Sequence, residues 1–284
     1  MANARSIPDL KQEGLKDEVR EFWDSDPCGT RYLEGAEDFE AHVRARYALE
    51  PHIPEFAQFA SARGLRVLEI GVGIGADYLE WLKTGATATG VDLSPASLER
   101  ARRRCELAGC QPDLRVADAE HLPFADNTFD VVYSYGVMHH SPDTAQCLRE
   151  AWRVLKPRGQ ARIMLYHHPS LTAAMLWLRY GVFSGRSLRR SVYDHLESPG
   201  TKTSTRAEVH SMMAGFEDIV MRQVFSPGDL LLHSPSARFQ SPLYRLAWRL
   251  YPRGLVRKLG RRWGLFLLVS GRKTGNVQIP LGHR

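Results

Sequence analysis

The sequence predicts an α/β fold in which helices alternate with the strands of a mostly parallel sheet. A buried strand, Leu65–Ile70, is followed by a glycine-rich turn and then by a helical pattern. A second strand ends at Asp92, and a further apolar strand begins at Phe129. Strand, glycine turn and helix form the unit that presents backbone N–H groups and a positive helix end to a nucleotide-like ligand. The ligand site is therefore expected at the carboxyl ends of the strands.

The glycine turn indicates which kind of nucleoside binds there. Gly71, Gly73 and Gly75 are separated by single residues, whereas a dinucleotide-binding loop has the pattern G-x-G-x-x-G. Glycine is needed in such a turn because it adopts positive φ and lets the backbone approach a ligand closely. Glu69 precedes the turn by two residues, and Asp92 stands where a carboxylate can bind both ribose hydroxyls. The spacing disfavours a dinucleotide.

These residues closely resemble motif I of the class I S-adenosylmethionine (SAM)-dependent methyltransferases. Residues 116–124 resemble the loop after the third strand of that family, and the order of the later segments resembles its ubiquinone and sterol type members. The resemblance covers residues 62–166 closely. It implies SAM as the cofactor and a Rossmann-like seven-stranded, mostly parallel sheet of order 3-2-1-4-5-7-6. It also implies helices on both faces, an N-terminal helical cap and C-terminal helical inserts.

The resemblance assigns a role to several residues of the SAM site. Glu69 would steady the glycine loop and the methionine ammonium group, and Asp92 would bind the ribose. Asp118 would contact the adenine amino group, and the backbone N–H of Ala119 an adenine ring nitrogen. Tyr135 would lie beside the sulfonium, because an aromatic face stabilises a cation. The predicted SAM-binding residues are Glu69, Gly71, Val72, Gly73, Asp92, Leu93, Asp118, Ala119 and Tyr135.

The candidate catalytic residues are His139, His140 and Tyr32. The two histidines follow the fourth strand, which borders the donor methyl in this fold, and a histidine there could act as a general base. The alternative is that both rings only line the pocket. Tyr32 belongs to the cap, whose aromatic residues either wall the substrate or pack in the core. No metal is predicted, since the histidines lack the H-x-x-x-H spacing of a helical metal site.

The chain is expected to divide into four segments. The third would be a lid over the substrate pocket, and the fourth would complete the sheet around a basic helical insert, residues 226–262. The segments are residues 1–60 (helical cap), 61–168 (SAM-binding core), 169–204 (lid) and 205–284 (completion of the sheet).

Element boundaries are predicted from apolar runs and from helix-start and helix-stop residues. An amphipathic helix through Leu148 should end at Pro157 and Gly159. The remaining predictions are a short helical piece at Glu18–Trp23, strand 5 at Gln160–Tyr166, strand 6 at Gly215–Phe225 and strand 7 at Trp263–Ser270.

Composition limits the class of protein. The 284 residues are 43% hydrophobic, which suits one α/β domain with additions. No run of 18 apolar residues occurs, so no transmembrane span is expected. The four cysteines form no C-x-x-C pair, which favours free thiols in a reducing cytoplasm.

The charge of the chain is uneven. Eleven Arg or Lys residues and no acid follow Asp229, although the whole chain is only +6. Residues 243–262 combine arginines with leucines and aromatic residues at helical spacing, as peripheral membrane helices do. Either this segment contacts an anionic membrane, or it packs on the core with a solvated arginine face.

The expected partner is a small-molecule acceptor, a specialised metabolite or a lipid-like compound. A DNA partner is not predicted, RNA is disfavoured because no added RNA-binding domain is evident, and the oligomeric state stays open. Two alternatives remain: transfer or cyclisation of the aminocarboxypropyl arm of SAM, and a non-enzymatic membrane adaptor. A short-chain dehydrogenase is excluded, since no Tyr-x-x-x-Lys occurs.

Overall fold

The computed structural model describes residues 7–25, 36–198, 200–232, 246, 249–259 and 262–275. A seven-stranded sheet of order β3-β2-β1-β4-β5-β7-β6 forms its centre, which confirms the predicted order. The first five strands run parallel, and β7 lies antiparallel between β5 and β6. The strands are β1 Arg66–Ile70, β2 Thr87–Asp92, β3 Asp113–Val116, β4 Phe129–Tyr135, β5 Leu155–Tyr166, β6 Phe216–Val224 and β7 Phe266–Lys273.

Helices connect these strands and form the cap and the lid. They are α1 Ile7–Ser25, α2 Ala36–Leu49, α3 Ile53–Ala57, α4 Ala76–Lys83, α5 Pro95–Leu107, α6 Thr144–Val154, α7 Leu171–Leu176, α8 Leu188–His195, α9 Arg206–Met212 and α10 Arg253–Leu259. Short 3-10 turns occupy Phe59–Ala62 and Met138–His140, and a π turn, Trp177–Gly181, follows α7.

Local capping chemistry begins two of these helices. The Ser94 hydroxyl accepts a hydrogen bond from the Ser97 N–H, and Pro95 follows at the first helical position. Thr205 and Glu208 form a reciprocal capping box at the start of α9. These caps fix the entry points of α5 and α9.

The core is divided between the two faces of the sheet. Val67 and Tyr133 belong to a cluster on one face, whereas Leu68 and Val132 belong to a cluster on the other. Successive side chains of a strand point to opposite faces, and β1 and β4 are buried on both. A parallel sheet must be packed against other elements on both faces, and the helices of this fold do so.

The predicted end of the helix through Leu148 was wrong. Helix α6 ends at Val154, and β5 begins at Leu155, five residues before the predicted start. Pro157 and Gly159 therefore lie within the strand. Leu155 pairs with Phe129, and a register shift follows between Phe129 and Val131, so an irregular strand accommodates these helix-stopping residues.

Two other boundaries also differ. Strand β7 begins three residues after predicted Trp263 and continues through Lys273, because the buried Lys273 ammonium donates to Asn127 Oδ1 and the Leu155 carbonyl. Helix α1 extends well beyond Glu18–Trp23, and it packs against α5 and lines the pocket.

The basic insert and the cysteines are only partly described. Most of residues 233–248 lie outside the described residues, and α10 is the named helix of the insert within them. Among the described residues, no helix combines the length and the apolar character needed to cross a bilayer. Cys105, Cys110 and Cys147 are free thiols. A cytoplasmic location stays a prediction.

Candidate active site

A pocket opens at the carboxyl ends of the parallel strands, where the sheet order reverses between β1 and β4. Helix α1 covers it with Lys16, Val19 and Trp23. The nine predicted SAM-binding residues and His140 all line this pocket: Glu69, Gly71, Val72, Gly73, Asp92, Leu93, Asp118, Ala119, Tyr135 and His140.

The glycine turn has the backbone that the sequence predicts. Gly71, Gly73 and Gly75 have φ values of 80°, 53° and 79°. A Cβ on Gly71 would lie 2.0 Å from a methyl of Val137, and one on Gly75 would lie 2.9 Å from the Cβ of Ala101. At Gly73 nothing lies within 4 Å. Two glycines therefore allow close packing, and the third leaves open space for a ligand to approach.

Asp92 joins the end of β2 to the glycine turn. Its Oδ2 accepts a hydrogen bond from the Gly73 N–H at 2.8 Å, and its Oδ1 accepts one from the Ser94 N–H at 2.9 Å. Burial raises the pKa of Asp92, while these backbone donors oppose the shift. The carboxylate is thus held at the pocket wall, where the resemblance implies contact with a ribose.

Glu69 offers a buried carboxyl group to a cation. Its side chain is 3% exposed, and Trp81 Nε1 donates to Oε2 at 2.9 Å. Burial raises the pKa of Glu69 well above its ordinary value, and the negative charge of Asp77 adds to the shift. A positive group beside Glu69 would offset both effects, which fits the ammonium of a bound methionine moiety.

Asp77 is a functional candidate that the sequence did not reveal. It lies in the first turn of α4 and binds the Arg46 guanidinium through both oxygens, at 3.1 and 2.8 Å. The hydroxyls of Tyr133 and Tyr47 also donate to it. Although burial opposes the change, Arg46 and these donors lower the pKa of Asp77. The network fixes α2 of the cap against the glycine turn.

Lys16 links α1 to the loop after β3. Its ammonium lies 2.6 Å from Asp118 Oδ2 and 2.5 Å from Glu120 Oε2. Burial opposes the shift, but the two carboxylates raise the pKa of Lys16. Asp118, the predicted adenine contact, is thus already paired with a cation from the cap. Nothing local in the sequence indicates this pair, because its members are 102 residues apart.

Tyr135 forms part of an aromatic wall at the end of β4. Its hydroxyl lies 2.6 Å from His52 Nε2, and its ring packs beside Tyr133 and Phe266. Burial raises the pKa of Tyr135 well above its ordinary value, with a further contribution from the negative charge of Glu50. The phenol therefore stays neutral, and its ring lines the pocket.

The two predicted catalytic histidines occupy different positions. His139 is 2% exposed and stacks on Tyr166 at 3.6 Å between ring centroids, and it does not line the pocket. Neither of its ring nitrogens has a hydrogen-bond partner among the described residues. His140 lines the pocket beside Trp23. The third candidate, Tyr32, lies outside the described residues.

Two groups of side chains approach the geometry of a metal site. His139, His140 and Glu197 each place one potential ligand atom within 4.8 Å of the others. Asp118 and Glu120 do so with His121, but the Lys16 ammonium already lies against both carboxylates. The expectation that no metal binds stays a prediction.

His139 should make the stability of the protein depend on pH. Burial lowers the pKa of this imidazole well below 6.5, so the unfolded chain takes up a proton that the folded chain does not. Stability is therefore lost as the pH falls below about 6.5. We expect His139→Phe to gain more over wild type at pH 5 than at pH 7.5, by up to about 2 kcal/mol at about 1.4 kcal/mol per pH unit. Urea unfolding at both pH values measures this gain in stability. The same gain at pH 5 and at pH 7.5 would contradict the expectation.

The fold is a Rossmann-like α/β domain with a pocket at the carboxyl ends of its strands, where ligands of such sheets bind. Residues 68–163 match the family model described as "Methyltransferase domain". This part of the chain is therefore similar to the methyltransferase domain of known SAM-dependent enzymes.

Two relatives and one solved structure illustrate the likeness. Methyltransferase GfsG of Streptomyces halstedii is 42% identical over 104 residues, which are 35% of this chain and 37% of the relative. Cycloartenol-C-24-methyltransferase 1 of Oryza sativa subsp. japonica is 30% identical over 157 residues, 52% of this chain and 46% of the relative. The chain thus spans less than half the length of either.

The solved structure supports the fold over most of the chain. A Haloferax volcanii chain in complex with the Trm112 methyltransferase activator superposes with a TM-score of 0.58 at 20% identity. The alignment covers 90% of this chain and 98% of that chain. Such identity shows a shared fold.

Proposed function

We propose that this protein transfers a methyl group from SAM to a small-molecule acceptor. The observation that carries the proposal is the pocket itself, in which a buried Glu69, an Asp92 fixed by backbone donors and an open face at Gly73 line one cavity. These groups suit an ammonium, a ribose and a closely approaching ligand. No nucleic-acid partner is part of the proposal.

Bound SAM supplies a methyl group on a positively charged sulfur, which is already electrophilic. The chain must therefore mainly position an acceptor, and positioning alone can supply roughly 7 to 11 kcal/mol of the barrier. Glu69 would hold the methionine ammonium of SAM and Asp92 its ribose. Asp118 and the backbone of Ala119 would hold the adenine. Tyr135 would form the wall beside the sulfur. His139 and His140 support the acceptor side, His139 through its stacking on Tyr166.

The test measures cofactor choice and reaction products together. Calorimetry should detect binding of SAM and S-adenosylhomocysteine, with NAD bound weakly or not at all. Incubation with SAM and acceptor should release S-adenosylhomocysteine. Release of methylthioadenosine would instead indicate transfer of the aminocarboxypropyl arm, and tight NAD binding without a response to SAM would refute the proposal.

A second part of the proposal concerns residues 243–262, which we propose contact an anionic membrane surface peripherally. Leu246, Leu250 and Leu255 are 53%, 69% and 56% exposed. Arg253 and Arg257 lie in α10 with Leu255, so basic and apolar groups share the described part of this segment. Exposed leucines among arginines suit an interfacial segment.

Vesicle co-sedimentation tests the membrane proposal. We expect the full chain to bind phosphatidylserine-containing vesicles at low salt and to release them at high salt, with about 1 kcal/mol per basic residue near the surface. A variant with Arg253, Arg257 and Lys258 all changed to Gln should bind more weakly. Equal binding to neutral phosphatidylcholine vesicles, or none to either, would mean that the arginines form a solvated face.

A further inference from the structure

The lid segment from Glu197 to Lys202 is tied to the end of β4. The Lys202 N–H donates to the His139 carbonyl at 3.0 Å, and the Lys202 ammonium donates to the carbonyl of Ser141 at 3.0 Å. Ser198 and Thr201 approach the His140 ring from the same segment. These bonds hold the segment against the pocket wall.

The hydrogen bonds of His140 direct both of its nitrogens toward the lid. The Thr201 hydroxyl donates to the Ser198 carbonyl at 2.8 Å, so its proton is committed and its oxygen can accept from His140 Nδ1–H, 3.0 Å away. His140 Nε2 is buried and lies 3.4 Å from Glu197 Oε2. Both nitrogens therefore face groups of the lid, while the His140 ring lines the pocket.

Glu197 is the most exposed group in this cluster. Its side chain is 39% exposed, whereas that of His140 is 4% exposed. The Tyr166 hydroxyl donates to Glu197 Oε2 at 2.9 Å. Tyr166 is itself 5% exposed and stacks between the rings of His139 and Phe266. Oε2 is therefore held in place, while Oε1 has no hydrogen-bond partner among the described residues.

Side-chain contacts connect Glu197 to the aromatic wall of the pocket: Tyr166, which donates to Glu197, stacks on Phe266, and Phe266 packs against Tyr135. Burial raises the pKa of Glu50, and the negative charge of Glu197 adds to this shift. The Glu50 carboxyl shares a hydrogen bond with the Tyr135 hydroxyl, and the Tyr135 ring lines the pocket. Glu197 is thus in contact with His140 and close to the Tyr135 side, and His140 and Tyr135 both line the pocket.

We propose that Glu197 is the catalytic proton acceptor of the acceptor subsite, and that Tyr166 and His140 are its positioning residues. The inference rests on the proposed methyl transfer. An oxygen or nitrogen of the acceptor uses an electron pair to bond the methyl carbon, the methyl–sulfur bond breaks and its pair remains on sulfur. The proton on the acceptor atom moves to Glu197 Oε1. The acceptor subsite therefore takes molecules with an O–H or N–H at the reacting atom.

Two probe acceptors separate proton removal from positioning. At mildly alkaline pH thiophenol is largely a thiolate with no proton to lose, whereas phenol keeps its proton. The full chain with SAM is assayed for S-adenosylhomocysteine release with each probe, and SAM affinity is measured by calorimetry. We expect Glu197→Gln to slow phenol methylation about 100-fold or more, as removal of a general base does. Thiophenol methylation and SAM affinity should stay within about threefold.

Three further variants complete the test. Tyr166→Phe should slow the phenol reaction by a smaller factor, because it loosens Oε2 and leaves the carboxylate. Glu197→Asp keeps a carboxylate and should recover part of the phenol rate. This variant also keeps the proposal testable if Glu197→Gln folds poorly. Asp194→Asn is the matched control, since Asp194 is a lid carboxylate paired with Arg186 and Arg190, and wild-type rates are expected.

The outcomes are distinguishable. An unchanged phenol rate in Glu197→Gln, or an equal loss with both probes, would overturn the assignment of Glu197, because a structural role affects both probes alike. A wild-type chain that fails to bind SAM, or releases no S-adenosylhomocysteine with either probe, would overturn the proposed function and this inference with it.

Discussion

Replacing Asp92 with alanine is expected to weaken SAM binding roughly 100-fold. The carboxylate is fixed by the backbone of Gly73 and Ser94 and lines the pocket where a ribose would lie. Each charge-assisted hydrogen bond to a ribose hydroxyl is worth on the order of 1.5 to 3 kcal/mol, and about 1.4 kcal/mol is a factor of ten in affinity. Removal of the carboxylate also frees the Gly73 N–H and loosens the turn.

Calorimetry with SAM on the folded variant measures this loss. Asp113→Ala is a suitable control, because Asp113 is an acid on the neighbouring strand β3 that pairs with Arg115 and lies outside the pocket. It should bind SAM like the wild type. A dissociation constant unchanged in Asp92→Ala, with a normal circular dichroism spectrum, would remove Asp92 from the site.

The SAM half of the site could be predicted because its chemistry is local in sequence. The turn needs positive φ at Gly71 and Gly75, and this requirement is visible as glycine in the sequence. Glu69 and Asp92 lie at the ends of apolar strands, so their placement follows once the strands are recognised. All nine predicted SAM-binding residues consequently line one pocket.

The contacts between the core and the cap or lid could not be predicted. Lys16 reaches Asp118 across 102 residues, and Arg46 reaches Asp77 across 31. Glu197 approaches Tyr166 across 31 residues and belongs to the loop of the lid that follows α8. Each pair depends on how a peripheral segment packs against the sheet, and neither composition nor spacing encodes that packing. The proximity of His139 and His140 to β4 was likewise predictable, whereas the direction of their ring nitrogens was not.

Strand ends were less predictable than strand order. Strand β7 was predicted to end where apolar residues end, at Ser270, but it continues to Lys273. Backbone pairing with β5 and β6 extends the strand past its apolar part. The buried Lys273 ammonium is satisfied by carbonyl oxygens, so charge alone does not end a strand.

Asp229, the last acid of the chain, should be among its most important residues for stability. Its side chain is fully buried, and five donors from three segments converge on its two oxygens. The donors are the N–H and hydroxyl of Thr172, the N–H and hydroxyl of Ser226, and the N–H of Leu265. The carboxylate thus joins the start of α7, the chain after β6 and the chain before β7.

We expect Asp229→Ala to lower the free energy of unfolding by about 4 kcal/mol, because it leaves buried donors without an acceptor at a cost of about 1 to 3 kcal/mol each, part of which relaxation recovers. Asp229→Asn should cost somewhat less, since its amide keeps one acceptor oxygen. Asp126→Ala is the control, because that exposed carboxylate pairs with Arg153 at the surface and should cost under about 1 kcal/mol.

Urea unfolding measures these differences, and a loss below about 1 kcal/mol for Asp229→Ala would contradict the expectation. The rate of proteolysis within the lid gives a second measurement. Since Asp229 anchors Thr172 at the start of α7, its loss should expose the lid between Trp177 and Ser187 to proteolysis before the sheet unfolds. If cleavage at the lid and global unfolding shift together, Asp229 stabilises the whole domain; if cleavage shifts further, the carboxylate specifically fixes the lid that carries Glu197.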